Sequence, residues 1–352
     1  MTPSEAPTPI DPLALAAWME AHVPGFEGPL ELEKFSGGQS NPTYRLTTPQ
    51  CNYVMRCKPG PAAKLLPSAH AIEREFRVMQ ALHPSGVPVP QMYALCEDEG
   101  VIGRAFYIMA LVEGQVFWDQ SLPGLRPADR HARYQEMNRV MALLHGINPD
   151  AIGLSGYGKP GNYFERQIQR WSKQYQASIT QPIPEMDRLI AWLPAHIPDL
   201  ARDDRWMSVV HGDYRMDNLM FHPTQPKVLA ILDWELSTLG HPLADFSYHC
   251  LSWHIPPGMF RGIAGLDLRA LGIPSEAQYI DWYCEHTQSF KPEQLRKEWN
   301  FYLAYNLFRL AGILQGIAKR VEDGTASSAQ ARTSAAAARP LAEMAWLIAQ
   351  KT

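Results

Sequence analysis

The stretch VVHGDYRMDNL, residues 209–219, contains the most informative pattern of the sequence. In it, His211, Asp213 and Asn218 follow the order H-G-D-x4-N. At typical residue frequencies, a chain of 352 residues contains this pattern by chance on the order of once in a thousand sequences. Fifteen residues beyond Asn218, the apolar run VLAIL ends at Asp233, which therefore terminates a predicted buried strand. The two motifs together indicate a functional site.

This pattern is similar to the catalytic loop of protein kinases, H-R-D-L-x-x-x-N. In that loop the aspartate acts as the base and the asparagine binds a metal ion, while the aspartate of a D-F-G motif binds magnesium at the phosphates. Here Gly212 replaces the arginine, and Asp233-Trp234-Glu235 stands in the place of D-F-G. A structural His-Asp turn followed by an ordinary strand-end aspartate is the alternative, and it leaves the pairing of the two motifs unexplained.

The chain also resembles the aminoglycoside phosphotransferase and choline kinase-like family, whose signature is H-G-D-x4-N followed by I-D-W-E. Leu232 stands between Ile231 and Asp233, which is a conservative departure from that signature. The resemblance is closest to the branch found as the N-terminal domain of certain acyl-CoA dehydrogenase-family proteins, and it covers roughly residues 30–345. Three stretches add to it: KLLPSAH (64–70), the segment from GNYF to Trp171 (161–171), and FRLA with QG (308–316).

The resemblance implies a phosphotransferase that uses ATP and Mg²⁺, and it assigns roles to residues of both motifs. Asp213 corresponds to the catalytic base, and His211 to the residue that packs against the base and orients it. Asn218 and Asp233 correspond to the magnesium ligands. Arg215 stands where many protein kinases have a lysine that contacts the transferring phosphoryl group. A surface ion pair with a neighbouring aspartate is the alternative for this arginine.

Hydrophobic periodicity predicts a small β-rich part followed by a mainly helical part. In the first part we expect strands at 32–35, 43–47, 52–58 and 106–112, and a helix from Ser68 to Leu82. In the second part we expect helices at 130–145, 163–178 and 299–320, interrupted by a β-rich island at 208–233.

The expected fold class is therefore α+β, with the bilobal protein-kinase-like fold that the resemblance implies. Its small N-terminal lobe has an antiparallel sheet plus a helix, and its large C-terminal lobe is mainly helical. The expected boundaries are 1–28 for a loose N-terminal tail and first helix, 29–113 for the nucleotide-binding lobe, and 114–352 for the catalytic and substrate lobe.

Polar and glycine residues between two predicted strands resemble the loop that covers the phosphates in kinases. Glycine lets backbone amides approach phosphate oxygens without a Cβ in the way. Only two glycines of the kinase pattern G-x-G-x-x-G remain here. The residues of this loop that we expect to bind nucleotide are Ser36, Gly37, Gly38, Ser40 and Asn41.

The third predicted strand carries two candidates for the cation that contacts the nucleotide phosphates. Period-two alternation places Arg56 and Lys58 on one face, where kinases have a lysine. Both stay candidates, and the resemblance favours Arg56 with Glu75 as its partner. Glu73 is expected to be a solvated residue. The backbone from Ala110 to Val112 is expected to bind adenine.

Composition excludes several classes of function. With 46% apolar and 19% charged residues the chain should be globular, and no segment approaches the ~18 consecutive apolar residues of a membrane helix. The net charge of −4, without long basic runs, makes nucleic acid or an anionic membrane an unexpected partner. Five cysteines without a CxxC pair, and a start without a signal-peptide pattern, indicate the cytoplasm.

The acceptor is expected to be a small molecule with a hydroxyl group. From Gly114 onward there are 24 basic and 24 acidic residues, so this neutral part does not favour a polycationic aminoglycoside. Arg166, Arg170 and Lys173 share one face of a predicted helix, which is either a solvated face or a surface for an anionic acceptor. Relatives fused to acyl-CoA dehydrogenases suggest a hydroxyacyl-CoA.

Other functions remain as alternatives. One is a nucleotide-binding pseudokinase with a regulatory role, and another is a kinase for an aminoglycoside-, choline- or sugar-like acceptor. A metallohydrolase using His211, Asp213 and His222 is a weaker alternative, because it leaves Asn218 and Asp233 without a role.

Overall fold

The protein, described by a computed structural model over residues 10–35, 41–60, 71–325 and 329–351, forms two compact units. Unit 1 comprises the residues up to Gln115 together with Asn218–Ser237. Unit 2 comprises Val116–Asp217 together with the residues from Thr238 onward. The boundaries expected after residues 28 and 113 stay a prediction.

Unit 1 is built on an antiparallel sheet. Among the described residues, five strands form it in the order β1-β2-β3-β5-β4. The strands are Glu31–Lys34 (β1), Thr43–Thr47 (β2), Asn52–Cys57 (β3), Met92–Cys96 (β4) and Phe106–Ala110 (β5). The predicted strands are confirmed within two residues, whereas β4 was not predicted because it directly follows a proline-rich segment.

Two helices cover the faces of this sheet. Helix α1 (Pro12–His22) begins where the Asp11 side chain accepts the backbone N–H of Leu13 at 2.9 Å. It packs in one core with alternate residues of β3, Met55 and Cys57, so the intervening Arg56 lies on the other face. Helix α2 (Ile72–Leu82) meets that other face. The helix expected from Ser68 begins at Ile72, and Ser68 lies outside the described residues.

The β-rich island expected at 208–233 contains three short strands, and they form two antiparallel pairs together with a fourth strand that lies beyond residue 233. Strand β6 (Ser208–Val210) pairs with β9 (Thr238–Gly240) in unit 2. Strand β7 (Leu219–Phe221) pairs with β8 (Val228–Ile231) in unit 1. The backbone of Gly114 approaches β7 so closely that a Cβ there would lie 2.5 Å from the carbonyl oxygen of Phe221.

Unit 2 is mainly helical. Its helices are Pro127–His145 (α3), Tyr163–Ala177 (α4), Pro184–Ala195 (α5), Asp199–Arg202 (α6), Pro242–Cys250 (α7), Leu268–Leu271 (α8), Glu276–Thr287 (α9), Pro292–Glu322 (α10), Ala329–Ala336 (α11) and Ala338–Ala349 (α12). The long helix α10 is central, since it packs against α4, α7, α9 and α12. Phe164 of α4 illustrates this core, with its ring 5.7 Å from that of Phe301 and 5.0 Å from that of Tyr305.

These two units confirm the expected fold class, an α+β chain with an antiparallel sheet in its N-terminal part and a mainly helical C-terminal part. Within the ranges that the structure describes, no helix combines the length and apolar character needed to cross a bilayer. All five cysteines are free thiols, and Cys51 alone among them is exposed.

A tight turn in unit 2 gives a test of the packing. A Cβ at Gly262 would lie 1.8 Å from the carbonyl oxygen of Ile255, whereas a Cβ at Gly258 meets nothing within 4 Å. We expect Gly262→Ala to lower the free energy of unfolding by about 3 kcal/mol, because backbone must move. Gly258→Ala, strained by its φ of +84° alone, should cost about 1 kcal/mol. Urea denaturation measures both, and equal losses would contradict this packing.

Candidate active site

The hairpin β7–β8 places the two predicted magnesium ligands at one end. Leu219 lies opposite Ile231, so Asn218 and Asp233 flank the same end of the hairpin. The carbonyl oxygen of Asn218 accepts the backbone N–H of Leu232 at 2.8 Å, which holds the two segments together. Hairpin register therefore brings together two residues that are fifteen positions apart in the chain.

Asp233 has an unusual backbone conformation, with a φ of +65°. Aspartate adopts this left-handed region more readily than most residues, yet it costs of order 1–3 kcal/mol and tends to occur at functional sites. Directly after it, the Trp234 indole N–H donates to the Ile231 carbonyl at 2.9 Å. The buried tryptophan thereby fixes the turn that carries the Asp233 carboxylate.

Arg56 lies among three carboxylates of unit 1. Its Nη2 donates to Oδ1 of Asp233 at 2.9 Å, and its Nε lies 3.1 Å from Oε2 of Glu75. Nη2 also lies 3.6 Å from Oε2 of Glu235. These four residues are called the Arg56 cluster. The pairing of Arg56 with Glu75 is the one expected from the resemblance.

Glu75 is the buried member of the Arg56 cluster, with 1% of its side chain exposed. Asn41 donates its Nδ2 to Oε1 of Glu75 at 2.9 Å, and the Tyr107 hydroxyl donates to Oε2 at 3.2 Å. Burial raises the pKa of Glu75 to about 7, because desolvation outweighs the attraction of Arg56. The free-energy cost of burying this group in its charged form therefore makes the stability of the protein depend on pH.

The residues expected to hold magnesium fit that ion. The Arg56 cluster has three carboxylates against one guanidinium, so negative charge is in excess where Asp233 lies. Carboxylate and amide oxygens are the donors that Mg²⁺ prefers. Asp233 and Asn218, at one end of the hairpin, supply both kinds.

The other residues expected to bind nucleotide are distributed as follows. Lys58 is paired with Glu73, which was expected to be a solvated residue. The backbone N–H of Ala110 donates to the Gln91 carbonyl at 2.9 Å, and Val112 lies beyond the end of β5. Of the predicted phosphate loop, the residues Ser36, Gly37, Gly38 and Ser40 lie outside the described residues.

In unit 2, the loop that follows β6 is held by a buried carboxylate. Asp245, 2% exposed, accepts the backbone N–H groups of His211 and Gly212 at 2.5 and 2.7 Å. Burial alone would raise the pKa of Asp245, but His145, His211 and the Gly212 amide together lower it. Asp245 lies 32 residues beyond Asp213 in the chain. It determines the loop backbone directly.

Asp213, the predicted base, is held by two side chains. The Tyr248 hydroxyl donates to its Oδ1 at 2.7 Å, and Nη2 of Arg215 lies 2.8 Å from its Oδ2. The backbone N–H of Asp213 donates to Nδ1 of His211 at 3.2 Å, so the histidine contacts the loop backbone, and its orienting role stays a prediction. Arg215 also lies 3.5 Å from Asp217, so it contacts both aspartates.

Arg309 completes the support of this loop. Its Nη2 donates to the Gly212 carbonyl at 2.6 Å, and its guanidinium lies 5.1 Å from the centre of the Tyr248 ring. Tyr248 and Arg309 were not predicted to be functional residues, since each lies far along the chain from the loop. Arg309 lies in FRLA, one of the stretches that carry the family resemblance.

Arg166, Arg170 and Lys173 form the basic stripe of helix α4, and two of them make contacts within the protein. Arg166 donates to the backbone carbonyls of Pro160 and Lys159 at 3.0 and 2.7 Å. The guanidinium of Arg170 lies over the Trp171 ring at 5.3 Å, and Lys173 is exposed. A role for these three residues in acceptor binding stays a prediction.

The fold is that of kinase-like phosphotransferases. Choline kinase of Cryptosporidium parvum superposes with a TM-score of 0.65 at 14% identity, covering 95% of this chain and 96% of that chain. Aminoglycoside 2′-phosphotransferase-IIIa, in its GDP complex, gives a TM-score of 0.62 at 14% identity and covers 96% of this chain and 99% of that chain. At these identities the likeness concerns the fold alone.

Closer similarity defines the family. Residues 31–284 match the phosphotransferase enzyme family. A solved structure from Ralstonia eutropha, provisionally described as an aminoglycoside phosphotransferase, is 61% identical with a TM-score of 0.89, over 97% of this chain and 99% of that chain. The chain belongs to the phosphotransferase enzyme family, as the H-G-D-x4-N motif predicts.

Curated relatives confirm the expected branch. Acyl-CoA dehydrogenase family member 10 of Mus musculus is 48% identical over 326 residues, which are 92% of this chain and 30% of that protein. Acyl-CoA dehydrogenase family member 11 of Homo sapiens is 40% identical over 348 residues, 97% of this chain and 43% of that protein. The chain thus spans less than half the length of these curated relatives.

The raised pKa of Glu75 predicts a pH-dependent contribution to stability. A carboxyl group that holds its proton more tightly when folded favours the folded state below about pH 4.5, and this advantage is lost as the pH rises through about 7. The unfolding free energy of the wild type, relative to that of Glu75→Gln, should therefore fall by roughly 3 kcal/mol over this range. Denaturant melts at a series of pH values measure it.

The matched control for this measurement is Glu73→Gln, which removes a partly exposed carboxylate from the same helix. If the difference between the wild type and Glu75→Gln stayed flat with pH, or grew in favour of the wild type, burial would not be the dominant influence on Glu75.

Proposed function

We propose that the protein is an ATP- and Mg²⁺-dependent kinase that transfers the γ-phosphoryl group to a hydroxyl group of a small molecule. The acceptor oxygen forms a bond to the γ-phosphorus while the bond from that phosphorus to the β–γ bridging oxygen breaks. The hydroxyl proton passes to a carboxylate, and ADP and a phosphate monoester leave. The observation that carries this proposal is the firmly held carboxylate of Asp213, in the loop that bears the family motif.

Asp213 is the proposed base. The Tyr248 hydroxyl donates to one oxygen of Asp213, and the Arg215 guanidinium lies against the other. A carboxylate can accept the proton of an acceptor hydroxyl that lies within hydrogen-bond distance. Two donors on separate oxygens hold the carboxylate in one orientation, and such positioning supports general-base catalysis.

Arg215 is proposed to stabilise the charge of the transferring phosphoryl group. Its guanidinium contacts Asp213 and Asp217, so it stays next to the base. A fixed cation there would offset the charge on the equatorial oxygens in the transition state. The ion pair with Asp217, which was the alternative for Arg215 in the sequence, is formed as well, so the arginine contacts both aspartates.

Arg56 is the proposed phosphate cation of the nucleotide site. It is held by Glu75 and Asp233, whereas Lys58 is paired with Glu73. A guanidinium with several donors in a fixed plane can contact carboxylate and phosphate together. Related folds also support nucleotide use, since spectinomycin phosphotransferase was solved with ADP and aminoglycoside 2′-phosphotransferase-IIIa with GDP.

Asn218 and Asp233 are the proposed ligands of Mg²⁺. When bound, the ion neutralises charge on the phosphate oxygens and fixes their position. The contribution of this chain is to hold the two side chains at one end of the β7–β8 hairpin and to keep Asp233 in its strained conformation.

A hydroxyacyl-CoA is the proposed acceptor. The matching curated relatives are named as acyl-CoA dehydrogenase family members, and this chain spans only part of their length. A kinase segment joined to such a protein would act on a related thioester. The neutral charge of the helical part agrees better with this acceptor than with a polycationic aminoglycoside.

Transfer assays on an acceptor panel test the proposed function. The protein is incubated with Mg²⁺, ATP and hydroxyacyl-CoAs, aminoglycosides, choline or sugars, and phosphorylated products are identified by mass spectrometry. We expect transfer to a hydroxyacyl-CoA. Asp213→Asn should lower kcat by about 1,000-fold, since the base is lost, while ATP binding is unchanged.

Asp150→Asn, which changes an exposed aspartate of the same unit, is the matched control. Transfer to aminoglycosides alone would refute the acyl-CoA acceptor. ATP binding without transfer to any acceptor would favour a pseudokinase, and near-normal transfer by Asp213→Asn would refute the assignment of the base.

A further inference from the structure

A second arginine, Arg261, lies beside the proposed catalytic residues of unit 2. Its Nη2 lies 3.0 Å from Oδ2 of Asp217, the same oxygen that Arg215 contacts at 3.5 Å. Arg215 in turn contacts the predicted base, Asp213. A chain of contacts therefore runs from Arg261 through Asp217 and Arg215 to the proposed base. No pattern in the sequence singles out Arg261.

The backbone around Arg261 is strained and fixed. Phe260 and Arg261 have φ values of +39° and +59°, which non-glycine residues rarely adopt. The next residues are anchored, because Ile263 donates its N–H to the Ser252 carbonyl and Ala264 to the Ile255 carbonyl. A strained segment held by its surroundings is typical of a functional position. It presents the Arg261 side chain in a defined direction.

An exposed tryptophan stands next to Arg261. The guanidinium lies 5.5 Å from the centre of the Trp118 ring, and 67% of that residue is exposed. On the other side, the guanidinium of Arg215 lies 5.6 Å from the centre of the Phe260 ring. Cation–π contacts hold both arginines in place. An indole that is two-thirds exposed here offers a flat surface to a ligand.

The arrangement of these arginines favours an anion. Nη2 of Arg261 and Nη2 of Arg215 lie 3.0 and 3.5 Å from the same oxygen, Oδ2 of Asp217. Burial and the neighbouring Arg215 lower the pKa of Arg261, since two guanidinium groups share the single carboxylate of Asp217. A dianionic group beside Arg261 would relieve this repulsion. Guanidinium groups are well suited to phosphate because their N–H donors form a planar fork.

We propose that Arg261 and Trp118 determine acceptor specificity by binding a phosphate group of the acceptor and a flat part of the molecule next to it. The proposal rests on the proposed function, since it concerns the acceptor of the same reaction. Arg261 acts by binding and not by moving a proton. It is distinct from the basic stripe of helix α4, where Arg166 is already engaged by backbone carbonyls.

Binding measurements, which need no turnover, test this proposal. Coenzyme A, 3′-dephospho-coenzyme A and pantetheine are titrated into the full chain by calorimetry. We expect the wild type to bind coenzyme A, and Arg261→Ala to bind it about 10- to 100-fold more weakly, since hydrogen bonds to a charged group are lost. Pantetheine, without phosphate, should not distinguish the two proteins. The dephospho compound shows which phosphate is bound.

Two further variants keep the test decisive. Trp118→Ala changes an exposed side chain and should fold normally, with coenzyme A binding weakened about 3- to 10-fold. Arg188→Ala is the matched control, because Arg188 also lies over a tryptophan, Trp346, but is not among the contacts of the Asp213 loop. In transfer assays Arg261→Ala should raise KM for the acceptor and leave KM for ATP unchanged.

The possible results separate the proposed specificity site from the proposed function. Absence of coenzyme A binding by the wild type, equal binding by the wild type and by both Arg261→Ala and Trp118→Ala, or a rise in KM for ATP in place of the acceptor would overturn the proposal. Coenzyme A binding that depends on Arg261, without transfer to any acceptor, would support the binding site and refute the proposed function.

Discussion

A single buried carboxylate fixes the loop on which the proposed chemistry depends. Asp245 has almost no exposure to solvent and accepts the amides of His211 and Gly212, the two residues before Asp213. A buried charge is costly unless its oxygens are well hydrogen-bonded. Here the backbone of the functional loop provides the bonds. The loop therefore cannot leave this conformation without leaving a charge unsatisfied.

The surroundings of Asp245 extend this constraint through unit 2. Nε2 of His145 lies 3.5 Å from Asp245, and its Nδ1 is 2.8 Å from the Tyr283 hydroxyl. Arg309, on the long helix α10, holds the carbonyl of Gly212 from the other direction. Amides and carbonyl of the same short loop are thus held by elements of the helical core, and the side chain of Asp213 inherits a defined position.

A buried carboxylate, that of Glu75, also holds several side chains of unit 1 together. Glu75 is buried, yet Asn41, Tyr107 and Arg56 each contact its carboxylate. Arg56 then extends from Glu75 to Asp233, and so joins helix α2 to the end of the β7–β8 hairpin. A charged network of this kind specifies which side chains meet, even where the net gain in stability is small.

The sequence predicted those parts of the molecule that depend on local pattern. Alternating residues predicted β2 and β3, and the helical part followed from 3.6-residue periodicity. Strand β4 was not predicted, because the prolines before it obscure the alternating pattern of a strand. Tyr248 and Arg309 escaped because their contacts with the loop span 35 and 97 residues, and only the fold brings such residues together. Arg261 was not predicted for the same reason, since its proposed role depends on its contact with Asp217.

Asp213 is proposed to assist transfer of a phosphoryl group to an alcohol. A ³¹P NMR spectrum of the protein with Mg²⁺, ATP and a hydroxyacyl-CoA follows this reaction. We expect equal amounts of ADP and a new phosphate monoester on the acyl chain. ADP accompanied only by inorganic phosphate, or ATP that is bound and left unchanged, would contradict this proposal.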